Sequence, residues 1–162
     1  MNDFNEIYEI NKELDRMFEN NFDVSFDEFY RKNKLELLVE ISELANETRV
    51  FKYWSKKEPD FEKMMYELAD CIIITLSFFN YKNISLDEEF PSMMEYSDSV
   101  DLFFKLYDLG NRFYNDDDSN TLKLILVTIM QLSSELNINR EDVISYTKSK
   151  IERNFIRMKE GF

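Results

Sequence analysis

Apolar positions recur every three or four residues along most of the chain, and this spacing predicts amphipathic helices. The first stripe predicts a helix from about Asp3 to Glu19 and comprises Phe4, Ile7, Tyr8, Ile10, Leu14 and Phe18. The same spacing predicts five more helices, over Ser25–Thr48, Pro59–Phe79, Ser97–Tyr114, Ser119–Leu136 and Arg140–Met158. The expected fold is therefore all-α, an antiparallel bundle of about six helices forming a single domain over residues 1–162.

Polar residues and a proline mark the expected ends of these helices and the loops between them. Ser25 and Glu28 have the spacing of a capping box, and Asn139 has the spacing of a cap for Asp142. Pro59 is expected in the first turn of the third helix. The segments Asp116–Asp118 and Asn137–Asn139 are predicted to be loops between the last three helices.

The third helix contains an uncharged run, CIIITLSFFN, from Cys71 to Asn80. Its apolar residues lie nearly all round the helix, which is typical of a helix buried at the centre of a protein. A second subunit often covers one side of such a helix, so this pattern predicts a homodimer.

Composition narrows the class of protein. The 162 residues include only two glycines and two prolines, which favours long helices over a sheet with many turns. No apolar run reaches the ~18 residues that span a membrane. The N-terminus lacks a basic start followed by an apolar stretch, so we expect a cytoplasmic protein. Cys71 is the single cysteine, which excludes an internal disulfide and a cysteine zinc site.

The charge balance restricts the partners and the chemistry. A formal net charge of −13 argues against nucleic-acid binding, which needs positive surfaces. A phosphorylated small molecule remains compatible, because a bound cation can reverse the local sign. The chain has no histidine, so hydrolytic chemistry would depend on carboxylates, lysines, arginines or a hard metal ion.

One face of the second helix carries a row of glutamates at intervals of four, three and four residues: Glu36, Glu40, Glu43 and Glu47. Like charges at these intervals repel each other by a few tenths of a kcal/mol per pair unless a cation neutralises them. In so acidic a chain, the row is also compatible with a solvated surface.

On the third helix, Glu67 and Asp70 lie one turn apart, and Asp70 directly precedes the uncharged run. A carboxylate in a buried helix is costly unless it is paired or bound to a metal. One interpretation is a salt bridge from Asp70 to Lys52 or to a C-terminal lysine. The other is a magnesium site on two facing helices, formed by Glu40, Glu43, Glu67 and Asp70, because Mg²⁺ prefers oxygen ligands. The spacing leaves calcium or a second magnesium ion open.

These residues resemble those of a known family. The stretch ELLVEISELANETRVFKYW, followed by ELAD at Glu67–Asp70, resembles the dimeric dUTPases of firmicutes and their phages, in the all-α NTP pyrophosphatase (MazG-like) superfamily. The acids match the metal motif of that superfamily, and Asn46, Phe51, Lys52 and Trp54 extend the match to the dUTPase branch. The C-terminal KIERNFIRMKEGF resembles the final helix of that branch. There, residues at the positions of Lys150, Asn154 and Arg157 reach the phosphates and the base, with Lys159 nearby.

The chain departs from the family pattern at several positions. The first helix has Asn11 where the family usually has a glutamine that contacts uracil, and asparagine keeps the amide on a shorter side chain. Cys71 and Ile73 stand where many members carry a glycine and a histidine. The chain ends in Gly161 and Phe162, where a tyrosine is common.

The resemblance implies hydrolysis of dUTP to dUMP and pyrophosphate, with Mg²⁺ as cofactor and Glu40 as the base that deprotonates the attacking water. It implies that phosphates are held by Lys52, Lys56, Lys150 and Arg157. Trp54 either stacks on the base or serves as a core or interface anchor. Two alternatives remain: a MazG-type pyrophosphatase acting on other nucleotides, and a catalytically silent helical dimer with a regulatory role.

Overall fold

The computed structural model describes residues 1–93, 95 and 98–161, with the side chain of Asn2 left out. A 3₁₀ turn, Asn2–Phe4, leads into the first helix. The described residues form six α-helices: α1 (Asn5–Asn21), α2 (Phe26–Thr48), α3 (Phe61–Tyr81), α4 (Ser99–Asp116), α5 (Ser119–Glu135) and α6 (Arg140–Glu160). The described chain has no strand, which confirms the all-α prediction.

Short polar side chains cap five of the helices. Ser25 accepts from the backbone N–H of Glu28, and Asn139 accepts from that of Asp142, as predicted. Helix α3 begins later than predicted, because Asp60 caps it by accepting from the Lys63 N–H. Pro59 therefore lies before the cap and not in the first turn. Asp98 and Asp118 cap α4 and α5. The predicted start of α4 at Ser97 lies outside the described residues.

Helix α3 lies at the centre of the bundle and packs against α1, α2, α5 and α6. Every residue from Cys71 to Phe79 is buried within the single chain, as the uncharged run predicts. Burial of this run therefore needs no second subunit, because helices of the same chain cover it. The homodimer stays a prediction. A homodimer needs evidence from another surface.

Ion pairs and one glycine hold the outer helices in place. Arg140 pairs with Asp3, and the Lys148 ammonium lies 2.5 Å from the Glu6 carboxylate, so α6 is joined to the N-terminal segment. Helices α2 and α4 approach closely at Gly110, where a Cβ atom would lie 2.6 Å from Leu38 Cδ2.

Asp117, at the end of α4, connects three elements. Its carboxylate lies 2.7 Å from Lys34 of α2 and 2.8 Å from Lys82, which follows α3, and it accepts from the Tyr30 hydroxyl. These contacts fix the end of the bundle opposite the loop between α2 and α3. None of the helices in the described part of the chain is long and apolar enough to cross a membrane.

Candidate active site

Three carboxylates from α2 and α3 converge in the middle of the bundle. Glu40, Glu67 and Asp70 each offer an oxygen, and these oxygens all lie within 4.8 Å of one another. The helical spacing of Glu67 and Asp70 brings both to the face of α3 that meets α2. Glu40 Oε2 is buried and has no hydrogen-bond partner among the described atoms. A buried carboxylate oxygen without a hydrogen-bond partner fits a cation site, because such an atom is costly unless a partner compensates it.

The electrostatics of this cluster favour a cation as well. Burial and then the charge of Asp70 raise the pKa of Glu40 to about 8, with further contributions from Glu43, Glu36 and Glu67. Burial and then Asp70 also raise the pKa of Glu67. Burial and the neighbouring negative charges both disfavour the charged forms of Glu40 and Glu67. In the charged form, the acids of this cluster repel one another. A divalent cation would relieve this repulsion.

Glu43, the fourth predicted ligand, does not belong to the convergent group. It is exposed one turn beyond Glu40, near enough that its charge raises the pKa of Glu40, Glu67 and Asp70. Its role as a metal ligand stays a prediction.

Helix α6 supplies a positive charge to the cluster. The Lys150 ammonium lies 2.5 Å from Asp70 Oδ2, and both side chains are largely buried. Burial raises the pKa of Asp70, while the hydrogen bond and charge of Lys150 and the charge of Arg157 oppose that rise. The predicted salt bridge from Asp70 to a C-terminal lysine is therefore present. It does not compete with a cation site, because one lysine offsets only part of the charge of the cluster.

An inner cavity of about 130 Å³ opens beside the acids, between α1, α2, α3 and α6. The helical period explains its lining, since Asp70, Ile73, Ile74, Ser77 and Tyr81 lie along one stripe of α3. The other helices contribute Leu14, Asp15, Phe18, Phe29, Asn33, Glu36, Glu40 and Asn154. The lining is thus mixed: five apolar side chains face seven polar or charged ones, four of which are carboxylates, and the polar groups can orient a ligand.

A buried polar network forms one wall of the inner cavity. Asp15, 4% exposed, accepts a hydrogen bond from the Ser77 hydroxyl at 2.6 Å and from the Asn80 amide at 2.9 Å. Tyr81 also hydrogen-bonds to this carboxylate. Burial nevertheless raises the pKa of Asp15 to about 6. Asn11 is fully buried beside this network, and its amide nitrogen donates to Ser77 Oγ at 3.0 Å.

An open groove lies on the other side of the acids. It is lined by Leu35, Leu38, Val39, Ser42, Glu43, Asn46, Glu47 and Glu67. The acidic cluster therefore stands between the inner cavity, reached by Glu40 and Asp70, and a more open groove, reached by Glu67. A cation held at the cluster would let this arrangement take a ligand with a ring in the cavity and an anionic tail at the acids.

The predicted substrate-binding residues fall into two groups. Lys150, Asn154 and Arg157 lie on one face of α6, and the structure brings this face to Asp70 and the inner cavity. Asn46, Lys52, Trp54 and Lys56 instead lie at the end of α2 and in the loop after it, outside the described lining of the cavity.

Within the second group, the Lys52 ammonium donates to Asn46 Oδ1 at 2.6 Å and to the Asn46 carbonyl at 3.1 Å. Trp54 is 65% exposed and contacts Phe51 and Tyr53 edge-on, so it is not a core residue. Lys56, in the same loop, and Lys159, near the end of α6, are exposed.

The sequence did not identify two residues of the cavity wall, Asp15 and Ser77, or Asn80, which hydrogen-bonds to Asp15. Two of them left a signal in the spacing. Asp15 is four residues after Asn11, on the same face of α1, and Ser77 is seven residues after Asp70, on the same face of α3. A polar residue recurring at helical spacing within an uncharged run indicates a polar wall.

The fold and the site together define an all-helical protein with a convergent carboxylate site beside an inner cavity. A family model described as dUTPase matches residues 3–162, nearly the whole chain. The chain therefore belongs to this family, the dimeric all-α dUTPases, which confirms the resemblance. A search of curated proteins found no match.

Family membership makes the chain a dUTP diphosphatase, a hydrolase that acts on a phosphoanhydride bond. It favours an enzyme over the catalytically silent helical dimer, the alternative that the sequence analysis left open.

Proposed function

We propose that the chain is a magnesium-dependent enzyme that hydrolyses dUTP to dUMP and pyrophosphate and so keeps uracil out of DNA. The observation that carries the proposal is the convergence of Glu40, Glu67 and Asp70, with a buried Glu40 oxygen that has no donor. These three residues, with Glu43 as a further candidate, would hold the cation. Carboxylate oxygens are the ligands that Mg²⁺ prefers.

The bound ion would neutralise charge on the phosphate oxygens and lower the pKa of a coordinated water. Glu40 is the proposed base that orients the attacking water and accepts its proton. With a pKa of about 8, Glu40 is mostly protonated at neutral pH in the chain alone. A cation beside it favours the ionised form, so ligand and base functions are compatible.

The remaining predicted residues would hold the substrate. Lys150 and Arg157, on the face of α6 that meets Asp70, and Lys159 beyond them would contact the phosphates. Lys52, Lys56 and Asn46 would reach the same phosphates from the rim of the open groove. The inner cavity, with Asn154 in its wall and Asn11 beside it, would receive the base. Trp54 is exposed and available to stack on a nucleotide.

A homodimer belongs to the same proposal. Exposed apolar residues recur along one face of α2 and α4, including Leu35, Val39, Val100 and Phe104. Apolar surface of this kind is typical of a subunit interface. We also propose that the enzyme is cytoplasmic, where nucleoside triphosphates are found.

A second candidate is a MazG-type pyrophosphatase that acts on other nucleotides. The pattern of the four acids is shared with that superfamily, and Asn11 departs from the usual glutamine of the dUTPases. The same assay separates the two candidates.

The test is pyrophosphate release from dUTP, dCTP, dTTP, dATP, dGTP and UTP, with Mg²⁺ and with EDTA. We expect a strong preference for dUTP and no turnover in EDTA. Broad activity would favour the MazG-type candidate, and activity in EDTA would contradict the metal requirement.

A companion variant, Glu40→Gln, removes the proposed base while keeping the size of the side chain. We expect kcat to fall by at least about 10²-fold, with an unchanged circular dichroism spectrum. Glu152→Gln, an exposed position on α6, is the matched control and should keep full activity. Retained activity in Glu40→Gln would show that another group is the base.

A further inference from the structure

The Asn11 side chain has an unused acceptor, and its amide contacts two residues that line the inner cavity. Its Oδ1 atom is buried and has no hydrogen-bond partner among the described atoms. The amide nitrogen donates to Ser77 Oγ at 3.0 Å and lies 3.5 Å from the Ile73 carbonyl oxygen, and both of those residues line the cavity. A buried amide oxygen without a donor is costly, so this atom is suited to a donor that arrives with a ligand.

Hydrogen-bond polarity fixes which end of the amide is left unused. The Ser77 hydroxyl has one proton and two acceptors in reach, the Asp15 carboxylate at 2.6 Å and the Ile73 carbonyl of its own helix at 3.1 Å. The shorter contact to the charged carboxylate is the stronger one and takes the proton. Ser77 Oγ must then accept from Asn11, which turns the amide nitrogen toward Ser77 and leaves the amide oxygen free. The Ile73 carbonyl, at the outer limit of a hydrogen bond, favours the same orientation.

Asp15 is itself held firmly in this role. It receives the Asn80 amide on its second oxygen at 2.9 Å and lies on α1, one turn from Asn11. Asp15, Ser77 and Asn11 therefore form a relay with one direction of donation, from Asn11 to Ser77 to Asp15.

We propose that Asp15 and Ser77 are positioning residues that orient the Asn11 amide so that its oxygen selects a base with a ring N–H donor. This inference rests on the proposed function, since it concerns how that site recognises the base of dUTP.

The chemistry of the bases makes the inference specific. Uracil presents an N–H at position 3 of its ring, whereas cytosine presents a lone pair at that position. An amide oxygen held by the relay pairs with the uracil N–H and opposes the cytosine lone pair. A site with a buried acceptor rejects a ligand that cannot supply the donor far more strongly than an apolar pocket does.

Two variants break the relay at different points. Ser77→Ala removes the acceptor for the Asn11 nitrogen. Asp15→Asn replaces a carboxylate that accepts from two donors with an amide, which accepts from one and presents its own N–H to the other. In each variant, the Asn11 amide can rotate so that its oxygen and nitrogen exchange positions. We expect the ratio of kcat/KM for dUTP to kcat/KM for dCTP to fall at least about tenfold.

The ratio separates selection from folding. A partly unfolded variant loses kcat/KM on both nucleotides equally, so the ratio reports only on the folded enzyme. Ser133→Ala is the matched control, because Ser133 is a buried serine on α5 that donates to its own helix at Met130. It should leave the ratio unchanged.

Coupling between the two positions gives a second readout. Because both variants break one relay, the double variant Asp15→Asn/Ser77→Ala should lose no more selectivity than Ser77→Ala alone. Additive losses would show two independent contacts and would overturn the relay. Unchanged selectivity in both single variants, with a selective parent enzyme, would also overturn it. A parent enzyme that does not prefer dUTP would instead overturn the proposed function, and this inference with it.

Discussion

The burial of Asp15 has a consequence for stability that is separate from any role in binding. Its carboxylate is almost inaccessible to solvent, and burial raises its pKa from 3.8 to about 6 in spite of three hydrogen-bond donors. Between these two values the folded protein binds more protons at this site than the unfolded chain does. The free energy of unfolding must therefore fall as the pH rises through that range.

Replacing Asp15 with asparagine removes this component, because an amide does not ionise. The difference in free energy of unfolding between Asp15→Asn and the parent should therefore rise, in favour of the variant, from pH 4 to pH 7. The pKa change corresponds to about 3 kcal/mol at most. Urea denaturation at several pH values in EDTA measures the difference, and the common contributions of the other acids cancel.

Asp117→Asn is a control with the opposite sign. Burial tends to raise the pKa of Asp117, but hydrogen bonds from Lys34, Lys82 and Tyr30 outweigh burial and lower it. The stabilisation from Asp117 is therefore lost as the pH falls. Parallel curves for Asp15→Asn and the parent would contradict a raised pKa at Asp15.

At the level of elements, α2 and α3 pack together through a surface that carries like charges. Both helices have apolar residues that drive this contact, yet Glu40, Glu67 and Asp70 meet within it. Such an arrangement costs stability in the isolated chain and becomes favourable only with a cation. The pairing of these helices is therefore expected to depend on metal concentration.

Glu67→Gln tests this trade-off. Without metal the variant should be more stable than the parent by about 0.5 kcal/mol, because one repulsive charge is removed. Magnesium should raise the melting temperature of the parent, because an ion at 100 times its Kd adds about 2.7 kcal/mol to the free energy of unfolding. It should change the melting temperature of the variant little. Thermal melts with and without Mg²⁺ make both measurements without reference to turnover.

Glu62→Gln, an exposed change near the start of the same helix, is the control. It should show no gain in stability without metal and should keep the full response to magnesium. An equal response to magnesium in Glu67→Gln and the parent would mean that Glu67 is not a ligand.

The elements themselves were accessible from the sequence because their determinants are local. Apolar spacing and caps such as Ser25 and Asn139 predicted six helices with ends within a few residues of those observed. The placement of Pro59 in the first turn of α3 was wrong for a local reason as well. Asp60 is the N-cap of α3, so Pro59 lies just before the helix.

The site was less accessible because it depends on contacts between distant residues. Glu67 and Asp70 share one turn, and their charge beside an apolar run was visible. The pairing of Lys150 with Asp70 joins α3 to α6, and only the interpretation of a salt bridge from Asp70 to Lys52 or a C-terminal lysine anticipated it. The hydrogen bond from Ser77 to Asp15 joins residues 62 apart. The spacing of Ser77 from Asp70 indicates a shared face of α3, but it does not show which residue of another helix the serine contacts.

At the scale of the whole molecule, α3 gives no evidence for a dimer, because its uncharged run is buried within one chain. A dimer interface is expected instead on an exposed apolar surface. Leu35 and Val39 lie one turn apart on α2, and Val100 and Phe104 lie one turn apart on α4. All four are exposed, and Phe104 is the most exposed at 72%. Phe104 also lines an apolar groove between α4 and the end of α2, with Phe51 on its far side. An exposed apolar surface across two packed helices favours contact with a second copy.

Phe104→Glu places a charge on that surface, at its most exposed residue. If two copies meet there, the parent should sediment with twice the mass of one chain and the variant with the mass of one chain, because an unpaired charge in an apolar interface costs several kcal/mol. Tyr114→Glu is the matched control, since Tyr114 is also exposed on α4 but lies outside the lining of the groove. It should leave the mass unchanged. A dimeric Phe104→Glu would place the interface elsewhere.

A monomeric parent would remove the dimer from the proposal. The acidic cluster and the inner cavity would still account for the chemistry, because one chain forms both of them by itself.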